Sequence, residues 1–260
     1  MEAKMLKDKI AIVTGAGSGL GEAISILFAR NGATVVLADL DIDGAKRVLE
    51  QIEKGGGKGR VQRTDVSKHD DCKALVDTAV NAYGRLDVAV NNAGIGGATA
   101  PVGEYPIDAW DTIIGINLSG VFYGMRHQIP AMIANGGGAI VNMASIAGKV
   151  GLVNASGYVA AKHGVVGLTE TAAIEYGEQG IRVNAVGPGF INTPLINKRS
   201  VLDTEAGSGA DEMKALASLH PMNRLGEASE VAELVLFLAS DRASFITGGY
   251  YNVDGGYLAR

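Results

Sequence analysis

The sequence has little of what marks a secreted, membrane-bound or nucleic-acid-binding protein. Its one cysteine, Cys72, cannot form an internal disulfide, so we expect a reducing compartment, the cytoplasm. No apolar run approaches the ~18 residues that cross a bilayer, and residues 1–9 lack the apolar core of a secretory signal. The net charge is −5, from 23 basic and 28 acidic residues. We therefore expect neither a membrane nor nucleic acid among its partners.

What the chain does have is the composition of a folded domain with an excess of glycine. Apolar residues make up 47% and charged residues 20% of the 260 positions, which excludes a disordered protein. Glycine occurs 37 times, about twice its usual ~7% share. Because most of these glycines are scattered, low complexity does not explain them. The length fits one large α/β domain over residues 1–260.

Short apolar runs alternate with longer amphipathic stretches along the chain. The runs are rich in Val, Ile and Ala without strict alternation, which is typical of strands buried on both faces of a parallel sheet. Six strands are predicted at 10–13, 34–38, 60–64, 86–90, 139–143 and 182–186. Helices are predicted at 20–30, 44–54, 68–83, 107–133, 157–178 and 229–238. This order predicts a doubly wound α/β fold with helices on both faces of the sheet.

One segment is less regular. Residues 188–223 contain three prolines and a polar centre at 203–211. Since a helix and an apolar segment follow, we interpret residues 192–221 as a flexible substrate lid within the single domain. Lys198 and Arg199 are interpreted as a solvated face of that lid, with contact to a substrate carboxylate as the alternative.

The first predicted strand leads through a glycine-rich loop, Thr14 to Gly21, directly into a helix. Glycine allows close backbone approach, and a helix N-terminus offers free N–H groups to an anion. Asp39 ends the next strand, where a carboxylate would hold the adenosine ribose of a dinucleotide. The strict G-x-G-x-x-G spacing fails, because Leu20 and Glu22 stand where its last glycine belongs. A merely flexible turn is the alternative.

The same region predicts NAD rather than NADP. Asp39 and Asp41 place two carboxylates near the position of the NADP 2′-phosphate, and the loop carries no Lys or Arg. The nearest basic residues after the strand are Lys46 and Arg47. Two like charges ~4 Å apart repel by about 4 kcal/mol at an effective dielectric constant of 20.

Tyr158 and Lys162 are four residues apart on a predicted helix, so both side chains lie on one face. An ammonium group ~4 Å from the phenol would lower the phenol pKa by about 3 units. Such a tyrosine could act as a general acid or base. The pair alone is a weak signal, because pairs with this spacing also arise by chance.

Seven motifs in order resemble the short-chain dehydrogenase/reductase family over essentially the whole chain. The glycine loop fits the family pattern T-G-x-x-x-G-x-G, which resolves the spacing misfit. The matching residues are Thr14, Gly15, Gly19 and Gly21; Asn91, Asn92, Ala93 and Gly94; Asn117; Ser145, 13 residues before Tyr158; Pro188 and Gly189; Ile191 and Thr193; and 253–256. One minor departure is Ala144, where many relatives have serine.

The resemblance implies a Rossmann-type fold with seven parallel strands and a catalytic tetrad. Tyr158 would exchange a proton with the substrate oxygen, and Ser145 would hydrogen-bond that oxygen. Lys162 would lower the pKa of Tyr158 and bind the nicotinamide ribose, and Asn117 would hold a water beside it. A satisfied buried amide is the alternative for Asn117. Assembly would be a homotetramer that packs the long helices together, with a dimer as the alternative.

The implied cofactor contacts are Gly15, Ser18, Gly19, Leu20, Gly21, Asp39, Asp65, Val66, Asn92, Ala93, Gly94, Tyr158, Lys162, Pro188, Gly189, Ile191 and Thr193. Alternatively, Asp65 ends a strand before a capping box at 67–70. The substrate pocket would be formed by 95–97, 147–154, Phe190 and 195–221. The four histidines show no ligand spacing, so no metal site is predicted.

The function we expect is NAD-dependent interconversion of a secondary alcohol and a ketone. Few charges line the predicted pocket segments, which favours a neutral, largely apolar substrate. Three alternatives stay open: an NADPH-dependent reductase of 3-oxoacyl groups on acyl carrier protein, a dehalogenase or epimerase on the same scaffold, and a non-catalytic dinucleotide-binding scaffold.

Overall fold

Parallel strands form one sheet at the centre of the molecule. The computed structural model describes residues 4–197 and 209–259, and within them the sheet has seven strands in the order β3-β2-β1-β4-β5-β6-β7. The strands are β1 (Ile10–Thr14), β2 (Thr34–Asp39), β3 (Lys58–Arg63), β4 (Val88–Asn91), β5 (Gly138–Met143), β6 (Ile181–Pro188) and β7 (Tyr250–Val253). The chain order reverses between β1 and β4, and such a crevice at the carboxyl ends of strands is where doubly wound folds bind ligands.

Helices cover both faces of this sheet. They are α1 (Gly19–Arg30), α2 (Ile42–Lys54), α3 (His69–Tyr83), α4 (Ile107–Ile114), α5 (Gly120–Ala134), α6 (Ser156–Tyr176), α7 (Pro194–Asn197), α8 (Gly209–Ser218) and α9 (Ala228–Ala239). In β1, Ala11 and Val13 face the core under α1, α2 and α9, whereas Ile10 and Ile12 face the core under α3, α5 and α6. The predicted two-sided burial and doubly wound α/β fold are confirmed for the central strands.

Two sequence predictions of local structure are corrected. β3 is not buried on both faces: it lies at the edge of the sheet, pairs with β2 alone, and all its residues are exposed or half-buried. The helix predicted at 107–133 is interrupted by a π-helical segment, Gly115–Ser119, which separates α4 from α5. A π segment widens the helix locally and is frequent at functional sites. Apolar residues recur before, within and after it, at Ile114, Ile116, Leu118 and Val121, so periodicity did not reveal it.

Residues 192–221, the predicted lid, are only partly described. They include α7 and α8, but residues 198–208, with Lys198 and Arg199, lie outside the described residues. No helix within the described ranges has the length and apolar character that a membrane span requires.

Candidate active site

A cleft of about 810 Å³ opens at the carboxyl ends of the strands. Its walls come from the glycine loop, the ends of β2, β4, β5 and β6, and the first turns of α6. Every residue predicted to contact cofactor or substrate oxygen lines this cleft, except Gly21 and Asn117. The fold therefore brings together predicted residues that are up to 178 positions apart in the chain, from Gly15 to Thr193.

The glycine loop lies against the end of β4. Gly15 has a φ of +64°, and a Cβ atom there would approach Asn92 and Ala93 to 3.0 Å. Gly21 does not line the cleft because it packs against the glycine loop itself. A Cβ on Gly21 would collide with the carbonyl oxygen of Gly15. The Thr14 hydroxyl oxygen accepts hydrogen bonds from the main-chain N–H groups of Asn92 (2.9 Å) and Ala93 (3.0 Å). The loop is thus held tightly to the neighbouring strand.

The N-terminus of α1 is suited to an anion. The N-cap residue Ser18 makes no side-chain capping bond, so it leaves the first N–H groups of the helix without that partner. Ser18, Gly19 and Leu20 all line the cleft at this point. A pyrophosphate group fits such a helix terminus, where the N–H groups and the helix dipole both favour negative charge.

Asp39 lines the cleft at the end of β2. Its Oδ2 accepts a hydrogen bond from the Gly17 N–H at 2.8 Å, and its Oδ1 accepts one from the Asp41 N–H at 2.9 Å. The second predicted carboxylate is placed differently: Asp41 caps α2 through the Gly44 N–H at 3.1 Å and does not line the cleft. One carboxylate rather than two therefore lines the cleft at the end of β2.

Asp65 and Val66 line the adjoining wall. The Ser67 hydroxyl donates to Asp65 at 2.6 Å and lowers the pKa of that carboxyl. The alternative of a capping box at 67–70 is wrong, because the N-cap of α3 is Lys68 and its side chain makes no capping bond. Asp65 also lies beyond the end of β3 at Arg63, so it does not end the strand.

Ser145, Tyr158 and Lys162 face the cleft from β5 and α6. Ser145 is buried directly after β5, and its Oγ accepts a hydrogen bond from the Ala147 N–H at 3.2 Å, so its own proton is available to another acceptor. The Lys162 Nζ lies 5.6 Å from the centroid of the Tyr158 ring, on the same face of α6. It donates to the carbonyl oxygen of Met143 at 2.7 Å.

Lys162 is the one basic residue among the described residues that line the cleft. It is 5% exposed, and burial lowers its pKa to about 8. Desolvation disfavours the ammonium form, because the site offers it a carbonyl dipole rather than a full negative charge. The site therefore holds, beside the phenol of Tyr158, an ammonium group whose pKa is about 8.

Asn117 is completely buried in the π segment. Its Oδ1 accepts from the Ile95 N–H at 2.9 Å, and its Nδ2 donates to the Ile95 carbonyl at 2.8 Å. The side chain thus has the contacts of a satisfied buried amide and holds the cleft wall at Ile95. A role in binding water beside Lys162 stays a prediction.

Apolar side chains dominate the remaining part of the cleft. They include Ile95, Ile146, Leu152, Val153, Phe190, Leu195, Ile196, Leu219 and Tyr257. The predicted segment 147–154 contributes only from Gly151 onward, because the turn before it packs under α6, where Gly148 lies against the Lys162 main chain. Residues 96 and 97 also lie outside the lining.

Sequence reasoning missed Tyr257, which lines the cleft from a short turn after β7. Its ring lies 6.0 Å from the ring of Phe190 and 5.7 Å from that of His220. His220 is buried, and its Nε2 accepts from the Phe190 N–H at 3.2 Å. The one available signal was an aromatic residue directly after the motif at 253–256.

Comparison with known proteins decides the family. The family model described as enoyl-(acyl carrier protein) reductase matches residues 15–258. The cyclohexanol dehydrogenase of Acinetobacter sp. (strain SE19) is 46% identical over 253 residues, which cover 97% of this chain and 96% of that protein. The chain belongs to the short-chain dehydrogenase/reductase family.

Other members of the short-chain dehydrogenase/reductase family agree with this assignment. The cis-4-hydroxycyclohexanecarboxylate dehydrogenase of Sinomonas cyclohexanicum is 45% identical over 252 residues, 97% of each chain. The crystal structure of levodione reductase matches with a TM-score of 0.94 and 38% identity over 98% of this chain and 99% of that chain.

Solved structures of the family contain either nicotinamide dinucleotide. Carveol dehydrogenase from Mycobacterium avium, in complex with NAD, has a TM-score of 0.94 and 29% identity, covering 99% of this chain and 100% of that chain. A candidate 2-deoxy-d-gluconate 3-dehydrogenase from Agrobacterium tumefaciens, with bound NADP, has a TM-score of 0.88 and 35% identity over 100% of both chains. The family uses a nicotinamide dinucleotide, and both forms occur.

The lowered pKa of Lys162 makes a prediction about stability. Lys162 binds its proton more weakly in the folded than in the unfolded chain, so the unfolded chain holds more protons between pH 8 and 10.5. We expect the free energy of unfolding of the wild type, relative to Lys162→Met, to fall by about 3 kcal/mol as the pH is lowered through this range. Urea unfolding at a series of pH values measures the difference.

Lys54→Met is the control, because the Lys54 side chain is 78% exposed at the end of α2. Its difference from wild type should not vary in the same way with pH. A Lys162→Met difference that stays constant across the range would show that burial leaves the Lys162 pKa at its ordinary value.

Proposed function

We propose that the protein is an NAD(H)-dependent oxidoreductase that interconverts a secondary alcohol and a ketone. The observation that carries the proposal is the convergence of Ser145, Tyr158 and Lys162 on one cleft with the glycine loop and Asp39. Proton-transfer groups and a dinucleotide-binding crevice are the two requirements of such a reaction. The relatives support it, because their names describe alcohol dehydrogenases and a ketone reductase.

The residues present fit a nicotinamide dinucleotide. The uncapped start of α1 would take the pyrophosphate, Asp39 the adenosine ribose, and Asp65 and Val66 the adenine. Lys162 would bind the nicotinamide ribose, and the segment from Pro188 to Thr193 would hold the carboxamide. When bound, the cofactor supplies or accepts the hydride.

The chain's own residues manage the proton. Ser145 donates a hydrogen bond to the substrate oxygen, keeping its own proton, and fixes the position of that oxygen, since its Oγ is already an acceptor for Ala147. Tyr158 removes or returns the hydroxyl proton as general base or acid. The Lys162 ammonium, buried and near the Tyr158 ring, stabilises the phenolate form.

NAD is favoured over NADP because Asp39 would face a 2′-phosphate. Its carboxylate is fixed by two main-chain N–H groups and cannot swing away without breaking both bonds. It is well placed to accept hydrogen bonds from ribose hydroxyls. A phosphate at the same position would meet a fixed negative charge.

The substrate is proposed to be a neutral alicyclic secondary alcohol of the cyclohexanol type. Apolar side chains dominate the described lining of the cleft, and its one basic side chain, Lys162, is the one we propose to bind the nicotinamide ribose. The cyclohexanol dehydrogenase relative supports this class. We further propose that residues 192–221 act as the substrate lid, that the protein assembles as a homotetramer, and that it works in the cytoplasm.

Activity with cyclohexanol is the direct test. We expect purified protein to form NADH from NAD and cyclohexanol, and Tyr158→Phe to lower kcat by about 10²- to 10⁴-fold because the general base is lost. NAD binding by the variant, measured by fluorescence titration, should be retained. Tyr176→Phe, at the far end of α6, is the matched control and should keep full activity.

Three results would count against this function. NAD binding with no turnover of any alcohol or ketone would favour a non-catalytic dinucleotide-binding protein. Turnover of 3-oxoacyl thioesters with NADPH in preference to cyclohexanol with NAD would favour a biosynthetic reductase. Conversion of a substrate without added dinucleotide would favour a dehalogenase or epimerase.

The cofactor preference is tested at Asp39. We expect Asp39→Ala to shift the ratio of the NADP and NAD dissociation constants by about 10- to 100-fold towards NADP, since a fixed charge and a ribose acceptor are removed. Asp41→Ala removes an equal charge that caps α2 outside the cleft, so its ratio should stay close to that of the wild type. Preferred NADP binding by the wild type would overturn the argument.

A further inference from the structure

We propose that Glu22 is a second determinant of cofactor choice, because it neutralises Arg47 beside the adenosine end of the cleft. This inference rests on the proposed dinucleotide-dependent function. The carboxylate of Asp39 does not act alone on cofactor choice, because the basic side chain of Arg47 reaches the glycine loop from α2.

Arg47 contacts the loop at the residue that also contacts Asp39. Its Nη2 donates to the Gly17 carbonyl oxygen at 3.0 Å, while the Gly17 N–H donates to Asp39 at 2.8 Å. One residue of main chain therefore separates the two contacts, which places the guanidinium within about 10 Å of the Asp39 carboxylate. A cation at this distance would attract a 2′-phosphate and offset part of the repulsion from Asp39.

Glu22 forms an ion pair with the Arg47 guanidinium. Arg47 donates from Nη1 to Oε1 at 2.7 Å and from Nη2 to Oε2 at 2.6 Å, a bidentate pair. The Arg47 side chain is 50% exposed and that of Glu22 is 24% exposed, so the pair lies at the surface and solvent screens part of its charge. Hydrogen bonding to Glu22 also raises the pKa of Arg47. A phosphate would have to break two charge-assisted hydrogen bonds with Glu22 in order to bind the Arg47 guanidinium.

The contact between α1 and α2 does not depend on the Glu22–Arg47 pair. α1 and α2 already pack through buried side chains, among them Ile24, Phe28, Ala45 and Val48. Glu22 can therefore be changed with the helices still in contact. Its charge also lies in the first turn of α1, close to the helix terminus proposed to bind the pyrophosphate.

A double-mutant cycle separates charge neutralisation from packing. We expect Glu22→Gln, which keeps the shape of the side chain, to tighten NADP binding by about 10-fold more than NAD binding, because only NADP carries the 2′-phosphate whereas both carry the pyrophosphate near α1. Arg47→Met should weaken NADP binding a few-fold, because Glu22 is left unpaired. The double variant should return close to the wild-type NADP affinity, and the gain in Glu22→Gln should shrink at high salt.

The control and the contrary results are well defined. Glu50→Gln removes the same charge from an exposed pair with Lys54 on α2 and should not change the ratio of NADP to NAD affinity. An unchanged ratio in Glu22→Gln, or a gain that persists in the double variant, would overturn the inference. Failure of the wild type to bind either dinucleotide would instead overturn the proposed function itself.

An independent contact carries a second inference: we infer that Tyr250 positions Ser145. The Tyr250 hydroxyl, on β7, donates to the main-chain carbonyl of Ser145 at 2.7 Å. Gly187 on β6 provides the space, because a Cβ there would collide with the Tyr250 hydroxyl. The Lys149 ammonium lies 5.0 Å from the ring centroid. The main chain of Ser145 is thus fixed from β7 as well as from its own strand.

Burial also keeps Tyr250 protonated, because it raises the pKa of the phenol. The hydroxyl is therefore a donor at every working pH. We expect Tyr250→Phe to lower kcat by about 10-fold, with the dissociation constant for NAD and the pH profile of kcat unchanged, since only the placement of the Ser145 hydroxyl is disturbed.

Tyr251→Phe is the matched control, because that ring lies on the opposite face of β7 against the core under α1 and α9. It should leave kcat unchanged. Equal kcat values for Tyr250→Phe and wild type would overturn the positioning role. Full activity of Ser145→Ala would instead remove Ser145 from the proposed mechanism.

Discussion

The close approach of β1 and β4 at their carboxyl ends is the constraint on which the site depends. The crevice forms where the strand order reverses, and the glycine loop must pass within van der Waals contact of the next strand. Gly15 and Gly21 permit that approach because they carry no Cβ, and the Thr14 hydroxyl fixes it through two main-chain N–H groups. Because the loop is held there, the N-terminus of α1 lines the cleft, through Ser18, Gly19 and Leu20.

Electrostatics in the cleft follow from burial rather than from many charges. The described lining holds one basic side chain, Lys162, and two acidic ones, Asp39 and Asp65. Lys162 is desolvated and donates a hydrogen bond to the carbonyl oxygen of Met143, whereas the Asp39 carboxylate accepts hydrogen bonds from main-chain N–H groups. Few charges can differentiate the two ends of the cleft because each is fixed in direction and weakly screened.

Most of the fold and the lining of the candidate site were predictable from the sequence. Apolar runs located six of the seven strands, and motif spacing named residues that do line one cleft. What escaped were features set by neighbours in space. Edge exposure of β3 depends on strand order, and Asn117 in the π segment has its hydrogen-bond partner, Ile95, 22 residues away in the chain. Arg47 contacts the loop at Gly17, 30 residues earlier in the chain, and that contact depends on how α2 packs beside α1.

The aromatic cluster of Phe190, His220 and Tyr257 joins three segments that are distant in the chain. Because each ring contacts the other two, and His220 also holds the main chain of Phe190, a change in one ring alters the space available to the others. Substitutions at these positions should therefore be non-additive. Evolution of a new substrate preference along this wall would be constrained to proceed through compensating changes, so single replacements there would be poor starting points for redesign.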